Sequence, residues 1–309
     1  MFEIVFLGTG SSVPSRARNL AAIWMQYSGE TGEPFLFDCG EGTQSQLMKS
    51  KLSFMKIDRI FITHWHADHW AGLIGLIQTM NLEKRRRALR IYAPEAERFV
   101  ENILEMGYWA PRFRVIPVDC PFEGEEPTSL YRTKDFEVLS APAKHSVPAV
   151  AFCFKERDKV NVDIKKAAKY GLSQGRLVGK LKEKGSVVFK GKEIKLEQVA
   201  SVKKGLKVVY TGDTRTCRSL EMFSRGADLL IHDSTFESQD ETIMHAGAAE
   251  AAELAKRAQV KKLVLTHFSR RYQDVSPLVK AAQKVFPETL AAKDFMKIAL
   301  KKEVFKVFG

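Results

Sequence analysis

The apolar run Asp58-Arg-Ile-Phe-Ile-Thr63 leads straight into His64-Trp-His-Ala-Asp-His69, which places four metal-binding side chains within six positions. Residues two apart on an extended segment face the same side, so His64 and His66 can grip one ion. Asp68 and His69, where the next helix begins, can turn toward a second. Imidazole suits zinc, and three protein ligands plus water leave the open position that catalysis needs. The cluster cannot complete two coordination shells alone, so the fold must deliver further ligands from distant parts of the chain. His145 after FEVLSAPA, Asp213 after KVVYTG and His267 after KKLVLT each stand at the exit of a strand. Asp213 is the natural bridge between two ions, because a carboxylate has two oxygens to offer. The bland alternative is a set of unrelated polar caps at strand ends; seven such residues at equivalent places argue against it. Paired ions lower the pKa of a shared water and clamp both oxygens of an in-line displacement, which suits a phosphodiester.

Short β-branched and aromatic runs alternate with longer amphipathic stretches, the pattern of an α/β protein. Strands are expected over residues 3–7, 21–26, 35–38, 59–63, 90–93, 136–141, 149–154, 207–211, 228–232 and 262–266, and helices over 41–49, 69–80, 95–106, 246–259 and 277–285. Several of these strands end in polar residues at DCGEG, HWHADH, GDT and His267, and the carboxyl edge of a sheet is where ligand sites are built. The comparable openings at 2–8 and 205–212 suggest two similar halves packed face to face. Between them, residues 155–191 are rich in lysine and glycine with no strong strand pattern, and read as an insertion projecting from a single domain spanning 1–309.

The 49 Lys+Arg against 37 Asp+Glu give a formal charge of +12, which fits a polyanionic partner such as nucleic acid, or simple solubility. Cys39, Cys120, Cys153 and Cys217 lie far apart with no CxxC pair, so they read as reduced thiols of a cytosolic protein. The N-terminus lacks the pattern of a signal peptide, and no segment approaches ~18 uncharged apolar residues, so neither secretion nor a membrane span is expected.

The metal cluster with His145, Asp213 and His267 resembles the metallo-β-lactamase superfamily, which implies a four-layer αβ/βα sandwich and a hydrolytic metal site. Along nearly the whole chain the motifs resemble those of the ribonuclease Z family: FLGTGSSVPSRARNLAAI at the N-terminus, FDCGEGTQSQL, HDSTF at 232–236, HAGAAEAAELA at 245–255 and HFSRRY at 267–272. The resemblance implies one zinc held by His64, His66, His145 and Asp213 and another by Asp68, His69, His267 and Asp213. It implies that Asp68 helps to orient or deprotonate the attacking water and that His245 protonates the departing ribose oxygen. Asp233 stands where the family usually has glutamate, in the place of the partner that orients His245. His232 reads as a buried, hydrogen-bonded support. Arg270, Arg271 and Tyr272 could hold a phosphate or stack on a nucleotide, Arg271 and Tyr272 being the two that match the family's ArgTyr.

Between residues 155 and 184 ten lysines and arginines, Lys180 and Lys182 among them, face only Glu156, Asp158, Asp163 and Glu183. In ribonuclease Z this region is an arm that clamps the tRNA body, commonly across a homodimer, and GLSQGRLVGKLKEKG resembles its tip, with Arg176 in place of the usual proline. The expected activity is therefore cytoplasmic cleavage of precursor tRNA on the 3′ side of the discriminator nucleotide by a homodimer with two zinc ions per subunit. A hydrolase of the same fold acting on a small phosphodiester, thioester or lactone, and an RNA-binding protein that has lost activity, are the alternatives.

Overall fold

The structure is a computed structural model that describes residues 1–29, 32–172, 175–237, 244–302 and 304–309. It comprises two compact units, Met1–Lys155 with Lys207–Gly309, and Glu156–Leu206.

The larger unit is a four-layer αβ/βα sandwich. One sheet has the strand order Val304–Phe308, Lys297–Lys301, Phe2–Gly8, Ala22–Tyr27, Pro34–Phe37, Arg59–Phe61, Leu89–Ala93, Val115–Asp119. The other runs Thr289–Ala291, Leu263–Thr266, Leu229–Asp233, Lys207–Tyr210, Val150–Glu156, Phe136–Pro142, Thr128–Arg132. Alternation along the strands explains why both faces of each sheet are dry. Phe2, Phe35, Phe37 and Phe61 of the first sheet meet Phe136, Phe152 and Phe154 of the second, with ring centroids 4.7 Å apart for Phe2 and Phe154 and 5.3 Å for Phe61 and Phe152. Their sequence neighbours point the other way. Val5, Leu36, Ile60 and Ile62 pack with Leu47, Leu76 and Val100 of helices Thr43–Lys49, Gly72–Leu82 and Ala96–Glu105. On the far side, Cys153, Val209, Leu230 and Leu265 pack with Leu220, Ala252 and Leu278 of helices Arg218–Ser224, Ala248–Arg257 and Ser276–Val285.

Strands Pro34–Phe37, Arg59–Phe61, Leu89–Ala93 and Val115–Asp119 run parallel, as do Lys207–Tyr210, Leu229–Asp233, Leu263–Thr266 and Thr289–Ala291. Within each set the carboxyl ends lie side by side, which is what gathers the polar loops of both sheets.

Each sequence-predicted strand and helix has its counterpart, with ends displaced by a few residues; the helix expected over 69–80 is broken into Ala67–Trp70 and Gly72–Leu82. The two halves do not divide near residue 205. The second sheet already begins at Thr128–Arg132, and the C-terminal strand Lys297–Lys301 returns to pair antiparallel with Phe2–Gly8. Strand pairing across nearly the whole chain length leaves no local mark in sequence.

The smaller unit also differs from a loop-like insertion ending at 191. It extends to Leu206 and contains two antiparallel strand pairs, Lys159–Val162 with Ala200–Lys203, far apart in sequence, and the hairpin Ser186–Phe189 with Lys192–Lys195. Helices Ile164–Lys169 and Arg176–Lys184 close a core of Val162, Ala167, Leu172, Leu181, Ile194 and Val199, and Asp163 caps the first by accepting from the Lys165 and Lys166 amides. Its strands are four residues long and of Lys159–Val162 and Lys192–Lys195 only Val162 and Ile194 are buried, too little apolar pattern to read as strands. Ser173 and Gln174 of the GLSQG segment lie outside the described residues.

All four cysteines are free thiols, and no helix among the described residues is long and apolar enough to cross a membrane. Because Phe154 is enclosed by Phe2, Tyr27, Phe35 and Phe136, Phe154→Ala should lower the unfolding free energy by about 3–5 kcal/mol. Urea titration followed by fluorescence measures it, and a loss below about 1 kcal/mol would mean that the interlayer core does not depend on this ring.

Candidate metal centre

The HWHADH loop leaves its strand under restraint from the neighbouring one. Asp38, in the left-handed region at φ 55°, turns its buried carboxylate to accept from the Thr63 amide at 2.8 Å, from the Thr63 hydroxyl at 3.0 Å and from His69 Nδ1 at 2.8 Å. From the other sheet, Gly212 at φ 58° comes so close that an added Cβ would stand 2.6 Å from the Thr63 side chain. Glycine is required there both by dihedral and by space. That approach sets Asp213 beside His64.

The donors converge in three overlapping groups that share Asp213: two sets, His64, His66, His145 and Asp213, and Asp68, His69, Asp213 and His267, and a third group of Asp213, Asp233, His245 and His267, with the ligand atoms of each within 4.8 Å of one another. In the first, His66 Nδ1 lies 3.1 Å from both His64 Nε2 and His145 Nε2. In the second, His267 Nε2 lies 3.2 Å from His69 Nε2 and 3.3 Å from Asp68 Oδ2. Ligands at ~2.0–2.1 Å from a tetrahedral zinc are roughly 3.3 Å apart, so these spacings suit a small cation at the centre of each set. Asp213 offers Oδ2 toward His64 at 3.7 Å and Oδ1 toward His69 at 3.3 Å and His267 at 3.2 Å. Asp213 Oδ1 is buried yet makes no properly directed hydrogen bond, an expensive condition that a cation would relieve. The all-nitrogen and oxygen donor set therefore fits a divalent metal.

Groups behind the ligands fix their orientation. His145 Nδ1 donates to the Met244 carbonyl at 2.9 Å, and the Ser12 amide, in the N-terminal glycine-rich turn, donates to Asp68 Oδ2 at 2.7 Å. The Thr235 hydroxyl lies 2.9 Å from His267 Nδ1 and 2.7 Å from Asp233 Oδ1. Such outer partners hold a metal ligand's ring and tautomer in place.

Electrostatics separates the two sets. Burial and the neighbouring rings His69, His145 and His66 hold His64 well below the ordinary imidazole range, and burial also lowers His66 and His145, so all three favour the neutral, lone-pair-donating form. His267 is buried, which opposes its charge, yet Asp213, Asp233 and Asp68 hold it up at about 10. His69 is raised in the same way by Asp213 and Asp38. The carboxylate-rich half attracts positive charge, which a divalent ion would supply in place of protons.

Beside the two sets, His245 Nδ1 donates to Asp233 Oδ2 at 2.8 Å. The shorter side chain at 233 reaches its partner because strand Leu229–Asp233 carries it, fully buried, beneath the ring. Burial opposes charge on His245, but the bond to Asp233 and its carboxylate prevail and raise its pKa above the usual value. The imidazole keeps 17% of its surface exposed, so it combines a buried anchor with access to solvent. His232 is buried with Nδ1 bonded to the Asp233 carbonyl at 2.8 Å and stands outside the ligand sets.

The residues expected to touch substrate are placed differently. Arg270 and Arg271 are exposed, whereas Tyr272 is half-buried against the helix-side core and its hydroxyl accepts from the Glu237 amide at 3.2 Å. Lys180 and Lys182 lie exposed on helix Arg176–Lys184 of the smaller unit, and Lys182 donates to Asn161 Oδ1 at 3.2 Å. Sequence reasoning set Asp38 only among the polar residues that close strands at the ligand-site edge, and gave no role to Tyr210, Thr235 or Ser12. Asp38 had a readable signal, an acid closing an apolar strand in DCGEG; Tyr210 and Ser12 had none, since their partners lie 172 and 56 positions away.

Residues 197–268 match the model of the beta-lactamase superfamily domain, and residues 2–145 match that of the anti-Pycsar protein Apyc1. Fold and site together define a metal-dependent hydrolase of the metallo-β-lactamase superfamily. The chain is 42% identical to ribonuclease Z of Thermococcus onnurineus, over 96% of its own length and 94% of that protein's. It is equally similar to ribonuclease Z of Methanothermobacter thermautotrophicus, 42% identical with 97% of each chain covered. The crystal structure of the short form of human tRNase Z superposes with a TM-score of 0.69 at 29% identity, covering 97% of this chain and 99% of that one. The chain belongs to the ribonuclease Z family, metal-dependent endoribonucleases of that superfamily.

Since Gly212 sets the approach of Asp213 to the His64 loop, Gly212→Ala should lower bound metal without removing a ligand. Elemental analysis of the purified variant is expected to find less than half the metal of the unaltered protein; full occupancy would show that the close approach is dispensable.

Proposed function

We propose that this protein cleaves precursor tRNA on the 3′ side of the discriminator nucleotide, leaving a 3′ hydroxyl on the tRNA and a 5′ phosphate on the trailer, with two zinc ions in the centre described above. The observation that carries this is the His245–Asp233 pair beside two ligand sets joined through Asp213. A protonated ring anchored at 2.8 Å and open to solvent is what a reaction with an alkoxide leaving group needs. His64, His66, His145 and Asp213 would hold one ion and Asp68, His69, Asp213 and His267 the other. When bound, such ions supply Lewis acidity that favours ionisation of water and offsets charge developing on the phosphate.

Asp68, fixed by the Ser12 amide, would orient the attacking water and accept its proton. As the new bond to phosphorus forms and the bond from phosphorus to the ribose 3′ oxygen breaks, His245 would pass its proton to that oxygen. Asp233 stabilises the charged ring beforehand and keeps Nδ1 engaged, so that the transferred proton leaves from the opposite nitrogen. Arg271 and Tyr272 would contact the nucleotides near the cut. Lys180 and Lys182 would hold backbone phosphates of the tRNA body, an interaction that reads charge without base sequence. Cytoplasmic location and assembly as a homodimer belong to the same reading and rest on the resemblance to the ribonuclease Z family.

His245→Ala should slow precursor tRNA cleavage about 10²–10⁴-fold with metal content unchanged, whereas His66→Ala should abolish cleavage and leave RNA binding largely in place. Mapping the cut on one precursor tRNA, with a chromogenic phosphodiester in parallel, tests the substrate: turnover of the small ester with intact tRNA would favour a small-molecule hydrolase. Lys180→Glu with Lys182→Glu should weaken tRNA binding, lower the slope of log affinity against log salt by roughly 1 for each phosphate no longer neutralised, and spare the small ester. An unchanged slope would remove these lysines from the RNA interface.

A further inference from the structure

The Tyr210 hydroxyl reaches from the second sheet to Asp38 in the first. It donates to Asp38 Oδ2 at 2.6 Å, and the same oxygen accepts from His69 Nδ1 at 2.8 Å. Both Asp38 and the Tyr210 hydroxyl are sealed from solvent, and the tyrosine ring packs edge-on against Phe37 with centroids 6.3 Å apart, so neither partner has water as a substitute. Three positions beyond Tyr210 the chain supplies Asp213, so this hydrogen bond joins the strand that delivers the shared carboxylate to the residue that aims His69. The two ligand sets are unequal in this respect. His69 meets the Asp38 carboxylate directly, whereas His64 meets it only through the Thr63 hydroxyl, 3.1 Å from His64 Nδ1 and 3.0 Å from Asp38 Oδ1, and His145 rests on the Met244 carbonyl.

We infer that Tyr210 is a positioning residue that acts first on one ion: by fixing Asp38 it holds His69 in the direction that the set of Asp68, His69, Asp213 and His267 requires, and it reaches His64 only at second hand, through Thr63. The inference rests on the two-ion reading above. Tyr210→Phe removes one hydroxyl oxygen and keeps the ring against Phe37, so the interlayer packing survives. The buried carboxylate is then short of one donor and can swing away from His69.

Competition between the zinc-loaded protein and a fluorescent chelator separates these cases. The unaltered protein should give two steps. Tyr210→Phe should move one step toward weaker binding by about 10–100-fold, the usual consequence of losing a group behind a metal ligand, and shift the other far less. The step that moves should be the one that survives in His145→Ala, which lacks a ligand of the other set. Thermal unfolding of the metal-free Tyr210→Phe protein is expected to stay within a few degrees of the unaltered one. Two unmoved steps would overturn the role of Tyr210, and so would two steps moved equally, because that marks general loosening. Absence of two steps in the unaltered protein would instead overturn the two-ion reading itself.

Discussion

Everything at the catalytic rim depends on one buried carboxylate shared between two groups of candidate metal ligands. Asp213 presents one oxygen toward His64 and the other toward His69 and His267, and its Oδ1 lacks a directed hydrogen-bond partner. Leaving a buried anion uncompensated is costly, and the surrounding histidines compensate only in part, since three of them are held in the neutral form. The sandwich therefore carries at one end a concentration of negative charge and lone pairs that is complete only with cations.

The architecture lets the fold tolerate that concentration. Flat aromatic rings between the sheets and aliphatic side chains beneath the helices give each layer its own dry face, so the carboxyl ends of the strands need contribute little to stability. They are free to carry strained and polar features: Asp38 and His267 both have positive φ, at 55° and 61°, and Gly212 is pressed against Thr63. Such conformations persist where the surrounding structure over-determines them. Here the cross-sheet interactions through Tyr210, Thr63 and Gly212 supply that restraint.

The two units differ in their chemistry. The larger holds the buried, acid-rich centre, whereas the smaller shows solvent a helix with Arg176, Lys180, Lys182 and Lys184 over a core of only a few apolar residues. That core is small, and the attraction such a surface would exert on a polyanion depends on where the lysines are held more than on deep burial.

Strand positions, the HWHADH cluster and the residues that the structure gathers around it, His145, Asp213 and His267, were legible in the sequence, because period-two apolar runs and clustered imidazoles are local signals. The pairing of His245 with Asp233 could be anticipated only through resemblance, and its 2.8 Å contact depends on where strand Leu229–Asp233 lies. Tertiary structure alone decided the rest. The late return of Lys297–Lys301 to the first sheet, the strands hidden in the lysine-rich unit, and the bonds from Tyr210 to Asp38 and from Ser12 to Asp68 join residues far apart in the chain. A sequence records what each residue can offer, but which donor meets which acceptor across two sheets is fixed only once the sheets have packed.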